Sequence, residues 1–186
     1  MPELPEIEIV KRSLIKIANK AKIIDVKIYN KNLRYKIPNI FPKQLIGEKI
    51  IKVSRRSKYL VFNFKKKILV AHFGMSGKIL AIRSKDNKIF KTSFYYNLKI
   101  ENKHNHIYFV LNNGFVLIYN DVRRFGFFKI FNNTKLSNVK FIKKLGPEPF
   151  SKLFSLAYFT NFIKNKKKNI KNLLMDQTFV SGLGNI

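Results

Sequence analysis

Apolar residues recur at helical spacing near the start of the chain, where Ile7, Ile9, Val10, Leu14, Ile15 and Ile17 follow one another between Leu4 and about Asn19. Pro and acidic residues occupy the first turn, and the spacing predicts an N-terminal helix. The period then drops to two. Ile24, Val26 and Ile28 alternate with polar neighbours, and short alternating or apolar runs follow at Ile50–Ser54, Leu60–Phe64, Ile68–His72, Lys78–Ile82, Tyr95–Ile100, Ile107–Leu111, Phe115–Tyr119 and Phe127–Phe131. Asn112-Asn113-Gly114 between two of these runs is a hairpin signal. So many short strands in succession predict a β-sandwich or barrel.

The texture changes again after Asn132. Gly146-Pro147-Glu148-Pro149 is a stiff break, and beyond it Leu153–Ile163 and Ile170–Met175 read as helices separated by Lys166-Lys167-Lys168. The pattern divides the chain into a β domain with its N-terminal helix over residues 1–132, a linker over 133–149 and a helical segment over 150–186. The last residues, Gly182-Leu183-Gly184-Asn185-Ile186, form a Gly-bearing turn. A further helix would normally cover the preceding ones, so the helical domain is expected to be incomplete.

Composition narrows the class. The chain has 186 residues, of which 46% are hydrophobic, enough for the core of one domain and part of a second and too many for a disordered basic tail. No apolar run approaches the roughly 18 residues that cross a bilayer, and Met-Pro-Glu-Leu-Pro-Glu is acidic where a secretory signal is basic; a cytoplasmic protein is expected. The absence of Cys excludes a disulfide framework, a Cys-ligated zinc site, an iron–sulfur cluster and a thiol nucleophile in this sequence.

Charge points to the partner. With 38 Lys+Arg against 10 Asp+Glu the formal charge is +28, which attracts a polyanion and releases condensed counterions as phosphates are neutralised. The alternative is drift toward AT-rich codons, since Lys, Asn and Ile supply 75 of the 186 residues. Drift toward Lys does not by itself explain why Asp and Glu are scarce, and nucleic acid is the favoured partner. Membrane-surface binding is disfavoured because the Lys are not gathered on one amphipathic helix.

Glu3, Glu6 and Glu8 fall within the first eight residues. Acidic residues in a first helical turn offset the macrodipole, which is one explanation of the cluster. The other is chemical. Removal of Met1 would leave Pro2 with a free secondary amine, and a terminal amine of pKa ~7.8 is roughly one-seventh neutral at pH 7, against about one in 2,500 for a Lys at ~10.4. Attack on a sugar C1′ by a secondary amine yields an iminium ion, an electron sink for elimination that needs no proton. Glu3 is placed to protonate the ring oxygen and to move protons afterwards.

Five further segments offer chemistry. Lys58, in Arg55-Arg56-Ser57-Lys58-Tyr59-Leu60, would clamp a phosphate or hand over a proton, or else belong to a solvated strand edge. Met75, in His72-Phe73-Gly74-Met75-Ser76-Gly77, is either a core gap-filler or a wedge entering a base stack. In Asp121-Val122-Arg123-Arg124-Phe125-Gly126, Arg123 would occupy the space of an extruded nucleotide and Phe125 would stack, unless the segment is a hairpin with a salt bridge to Asp121. His104 and His106, two apart, would share a strand face, too little for a metal site and suited to phosphate contact; Asn185 in its turn could offer donors to a phosphate.

Met1-Pro2-Glu3-Leu4-Pro5-Glu6, Ser57-Lys58-Tyr59-Leu60, His72-Phe73-Gly74-Met75-Ser76-Gly77 and Asp121-Val122-Arg123-Arg124-Phe125-Gly126 occur together and in order with Leu145-Gly146-Pro147-Glu148-Pro149 and with Asp176-Gln177 through Ile186. Over its whole length the chain resembles the bacterial formamidopyrimidine-DNA glycosylases, and Leu4 suits the branch acting on oxidised purines. The resemblance implies an α+β fold: a two-sheet β-sandwich with flanking helices, followed by an incomplete helix-two-turns-helix domain. It implies a bifunctional DNA glycosylase and AP lyase of base excision repair, excising 8-oxoguanine and formamidopyrimidines and cleaving by β,δ-elimination. Pro2 would be the Schiff-base nucleophile, Glu3 a proton donor and Lys58 the donor for β-elimination. Met75, Arg123 and Phe125 would fill the gap left by the flipped nucleotide, and His72, His104, Arg123, Lys166, Lys171 and Asn185 would touch the DNA. The partner expected is double-stranded DNA bearing an oxidised purine or abasic site, met by a monomer in the nucleoid. No cofactor is expected, because the family's four-Cys zinc finger is absent. The runner-up readings are a truncated DNA-binding remnant without turnover and a basic RNA-binding domain.

Overall fold

The computed structural model describes residues 2–90, 92, 101–132 and 135–185. The chain separates into two compact units, Met1–Thr134 and Lys135–Ile186. The first begins with helix α1 (Leu4–Ala18), whose Ile7, Val10, Leu14, Ile17 and Ala18 are buried on one stripe. Strand β1 (Ile23–Ile28) follows, then a five-residue helix α2 (Phe41–Leu45) and strands β2 (Lys52–Arg56), β3 (Tyr59–Asn63), β4 (Ile68–His72), β5 (Lys78–Arg83), β6 (Lys88–Phe90), β7 (Asn105–Leu111), β8 (Phe115–Asn120) and β9 (Phe127–Phe131).

The strands form two antiparallel sheets, β1-β7-β8-β5-β6 and β2-β3-β4-β9. Leu60, Phe62, Leu69, Ala71 and Phe128 of one sheet share a core with Ile79, Ala81, Ile107, Phe109, Leu117 and Tyr119 of the other. Across it Phe128 meets Tyr119 edge-on at 4.8 Å and Phe109 at 5.8 Å between ring centroids. The stripe of α1 joins the same core and packs against β2 and β3. The α+β sandwich with flanking helices is thus present.

Most elements lie where periodicity places them, and the exceptions have local causes. In β1 the expected inward set is Ile24, Val26 and Ile28, but Ile24 is half exposed and Ile23 is buried in its stead. A bulge between Ile23 and Asp25 shifts the register against β7, so the strand changes face within two residues. Neither α2 nor β6 is long enough to display a period, and neither is apparent in the apolar pattern. The run Tyr95–Ile100 lies outside the described residues.

The second unit holds a short helix α3 (Lys140–Lys143), then α4 (Leu156–Ile163) and α5 (Ile170–Leu174). The apolar pattern starts a helix at Leu153; the structure starts it at Leu156, because the Ser155 hydroxyl accepts from the Tyr158 N–H and caps it there. Residues before α4 are tied to those after α5: the Gly146 N–H donates to the Gln177 carbonyl and the Ser181 N–H to that of Pro147. The small core centres on the buried Phe179, stacked on Phe162 at 4.1 Å and on Tyr158 at 5.8 Å and flanked by Phe154 and Phe159.

With so few buried partners, one ring carries most of this core. Phe179→Ala should cost about 3 kcal/mol, read by hydrogen exchange as lost amide protection in α4 and α5 while the β3 and β4 amides keep theirs.

Candidate functional site

The start of α1 is built by a reciprocal capping box between Glu3, the N-cap, and Glu6, whose Oε2 accepts from the Glu3 N–H at 2.9 Å. Pro2 and Glu3 are both buried. Glu8 serves a different end. Burial works to raise its pKa, but hydrogen bonds from Lys11, Arg55 and Arg12 prevail and hold it at about 2. Arg55 donates through Nε to Glu8 at 2.9 Å and through a terminal nitrogen to the Ser57 carbonyl at 3.0 Å, bracing the β2–β3 turn against α1.

That turn carries Lys58. Ser57 takes the left-handed backbone, φ +53°, and reverses the chain between the paired Arg56 and Tyr59. Lys58 is only 6% exposed, so it is not part of a solvated edge. Burial pushes its ammonium pKa below the ordinary lysine range while the charges of Glu3 and Glu6 pull the other way. The structure therefore gathers Pro2, Glu3 and Lys58, the first two from the helix start and the third from a turn more than fifty residues later in the same unit.

The second group lines an open cleft of about 770 Å³, bordered by Arg34, His72, Met75, Arg123 and Phe125. Met75 and Phe125 are 46% and 45% exposed, so Met75 is no core gap-filler. The Arg123 guanidinium sits 4.6 Å from the Phe125 ring centroid, a cation–π pair at the lip of the cleft. The two loops that present these side chains touch through their backbones: a Cβ on Gly74 would lie 2.5 Å from the Phe125 carbonyl carbon, and one on Gly126 would overlap the Tyr119 hydroxyl. Asp121 is fully buried and accepts from Ser76, from Tyr119 and from the Arg123 and Gly126 N–H groups.

His72 connects both groups. Its Nδ1 accepts from the Gly74 N–H at 3.1 Å and its ring stacks on Phe127, 5.7 Å between centroids. Burial, with the charges of Arg34 and Lys58, lowers its pKa to about 4, so at neutral pH the ring is uncharged and offers Nε2–H as a donor.

His104 and His106 do not share a strand face. His104 ends a 3₁₀ turn before β7 and lies partly exposed, its Nε2 3.7 Å from Glu101. His106 is 2% exposed, with Nε2 2.7 Å from the Asp121 carbonyl oxygen. The bulge between Asn105 and Ile107 removes the simple two-residue alternation.

In the helical unit Lys166, Lys171 and Asn185 are exposed. The Asn185 turn is held by Gln177, whose amide accepts from the Gly182 N–H at 2.9 Å and donates to the Leu183 carbonyl at 2.8 Å. Sequence reasoning did not single out Arg34, Arg55 or Ser76, and it gave Asp121 only a salt bridge. A serine flanked by the two glycines of Gly74–Gly77 is the one local sign that this loop meets another backbone.

Comparisons with known proteins agree with this geometry. Residues 1–128 match the model of the formamidopyrimidine-DNA glycosylase N-terminal domain, and residues 145–186 that of the formamidopyrimidine-DNA glycosylase H2TH domain. The chain is 41% identical over 191 residues to the formamidopyrimidine-DNA glycosylase of Bartonella tribocorum and 40% identical over 186 residues to that of Streptococcus agalactiae, covering 100% of this chain and 64% and 63% of those proteins. Among solved structures, the complex of Lactococcus lactis Fpg with DNA containing an abasic site is 32% identical with a TM-score of 0.83, covering 100% of this chain and 64% of that one. The same enzyme's complex with Fapy-dG-containing DNA has a TM-score of 0.82. The chain thus spans a little under two thirds of the relatives it matches. Among the described residues, no helix is long and apolar enough to cross a membrane.

The histidine gives a pH dependence. His72 binds its proton near pH 6.5 when unfolded and near pH 4 when folded, so acid favours the unfolded chain between those values. Stability should fall by up to about 3 kcal/mol from pH 6.5 to 4, and His72→Gln should flatten that part of a urea-denaturation profile.

Proposed function

Because the chain belongs to the formamidopyrimidine-DNA glycosylase family, we propose that it binds double-stranded DNA carrying an oxidised purine or an abasic site, releases the base and cleaves the strand. The observation that carries this reading is the burial of Pro2 and Glu3 beside the buried Lys58. Once Met1 is removed, a secondary amine, a carboxyl group and an ammonium whose pKa burial lowers stand together in a buried position.

With Met1 removed, the Pro2 nitrogen attacks C1′ of the everted nucleotide as the glycosidic bond breaks, while Glu3 protonates the sugar ring oxygen. The ring opens to an iminium ion joining Pro2 to C1′. Loss of a C2′ proton leaves its electron pair to the iminium ion as an enamine, which expels the 3′ phosphate with Lys58 as the proton donor, and a second elimination releases the 5′ phosphate. Met75, Arg123 and Phe125 fill the space of the everted nucleotide. His72 donates to the DNA as a neutral ring, and His104, Lys166, Lys171 and Asn185 contact the backbone. The chemistry calls on no cofactor. The protein works as a monomer in the nucleoid.

Borohydride reduction of the iminium ion tests the reading. The native chain should form a covalent adduct with DNA containing 8-oxoguanine or an abasic site, and protein that retains Met1 should form none. Glu3→Gln should slow base release by on the order of 10²–10⁴-fold. Binding to duplex DNA without any adduct would leave a DNA-binding remnant, and stronger binding to RNA than to duplex at equal salt would favour an RNA-binding domain.

Phe125→Ala separates the wedge from the chemistry. It should lower excision from a duplex by about tenfold, the scale of one lost base-stacking contact, while adduct formation with a single-stranded abasic site, which needs no eversion, stays near the native level.

A further inference from the structure

Asp121 takes no part in the chemistry above, yet its carboxylate meets four donors. It is fully buried. One oxygen accepts from the Ser76 hydroxyl at 2.5 Å and from the Arg123 N–H at 3.3 Å; the other accepts from the Tyr119 hydroxyl at 2.8 Å and from the Gly126 N–H at 2.9 Å. The Ser76 hydroxyl accepts in turn from the Arg123 N–H at 3.0 Å. Ser76 directly follows Met75, while Arg123 and Gly126 bracket the other loop and flank Phe125.

We infer that Asp121 is a positioning residue that joins the loop of Met75 to the loop of Arg123 and Phe125, so that the three side chains enter a duplex as one wedge. The inference rests on the proposed DNA function. Eversion costs a few kcal/mol of unstacking and unpairing, and a loop that yields under that load does not transmit it. Each loop by itself has an exposed apolar tip, Met75 in one and Phe125 in the other. What stiffens the pair is backbone: two N–H groups of one loop and a hydroxyl of the other converge on a single carboxylate, and Gly74 lies against the Phe125–Gly126 peptide with no room for a side chain. Burial and the Asp121 charge raise the Tyr119 pKa, so its hydroxyl stays protonated and donates. Four donors require two acceptor oxygens. An Asn side chain has nearly the same shape but one acceptor oxygen, and its NH₂ would face either the Gly126 N–H or the Arg123 N–H.

Hydrogen exchange of the full chain without DNA reads the joint directly. In Asp121→Asn the Arg123 or the Gly126 amide should exchange about tenfold faster, the change expected from one lost buried hydrogen bond, while the Leu69 and Val70 amides of β4 remain as in the native chain. Ser76→Ala, a milder change, should speed exchange at Arg123 and leave Gly126 protected. Native protection at both loop amides in Asp121→Asn overturns the inference. A loss that extends to β4 assigns Asp121 to the fold at large and overturns it as well. With DNA, Asp121→Asn should lower single-turnover excision of 8-oxoguanine from a duplex about tenfold, whereas borohydride trapping on a single-stranded abasic site should stay within about twofold of native. Equal losses in the two assays would place Asp121 in the chemistry and refute a positioning role. A native chain that never forms an adduct would refute the proposed function, and the exchange measurements would then decide the joint on their own.

Discussion

The packing of α1 on β2 and β3 is the contact from which the candidate site follows. The first residues of a chain ordinarily fray, because nothing opposes their conformational entropy. Here Ile7, Val10, Leu14 and Ile17 bury one stripe of the helix in the sandwich core, and the capping box of Glu3 and Glu6 defines its first turn. Pro2 and Glu3 are carried into a buried position by that helix. The strands beneath it are the two whose turn holds Lys58, so one packing contact places both Glu3 and Lys58. Arg55 reinforces it by spanning from Glu8 on the helix to the Ser57 carbonyl in the turn.

Electrostatics follows from how few carboxylates there are and how they are used. Asp25, Glu48, Asp86 and Glu101 pair with Lys27, Lys67, Arg83 and Lys103, Glu8 meets three cations, and Asp121 is enclosed by the two loops. Asp176 caps its own turn, accepting from the Thr178 N–H and hydroxyl. These acidic groups answer local structural needs, and the chain as a whole carries a net charge of +28. Codon drift can supply lysine in bulk. It does not place a guanidinium on the face of an exposed phenylalanine beside an exposed methionine.

What could be read from residues alone depended on range. The spacing of Ile7, Val10, Leu14 and Ile17 marked α1, and the run at Ile68–His72 coincides with β4 because a strand lying between β3 and β9 shows its buried apolar content in consecutive residues, while Phe127–Phe131 coincides with the edge strand β9. Met75, Arg123 and Phe125 were legible because each sits in a short segment whose glycine, charge and aromatic content is unusual by itself. The face change in β1 and the parting of His104 from His106 were not, since a bulge is a property of two paired strands and leaves no periodic trace in either one.

The amino-acid sequence by itself determined the local matters: a helix at the start, a series of strands, a proline and a carboxyl group in adjacent residues, two Gly-bearing segments with apolar and cationic side chains, and an excess of positive charge. Only the tertiary structure decided that Lys58 is buried beside Glu3, that His72 is held uncharged, and that Asp121 serves two backbone N–H groups of one loop and a serine hydroxyl of another in place of a salt bridge. The physical reason is distance along the chain. Ser76 and Asp121 are 45 residues apart, and Arg55 lies 47 from Glu8. Burial, dielectric and hydrogen-bond geometry at such pairs exist only once the sheets have closed and the core has excluded water.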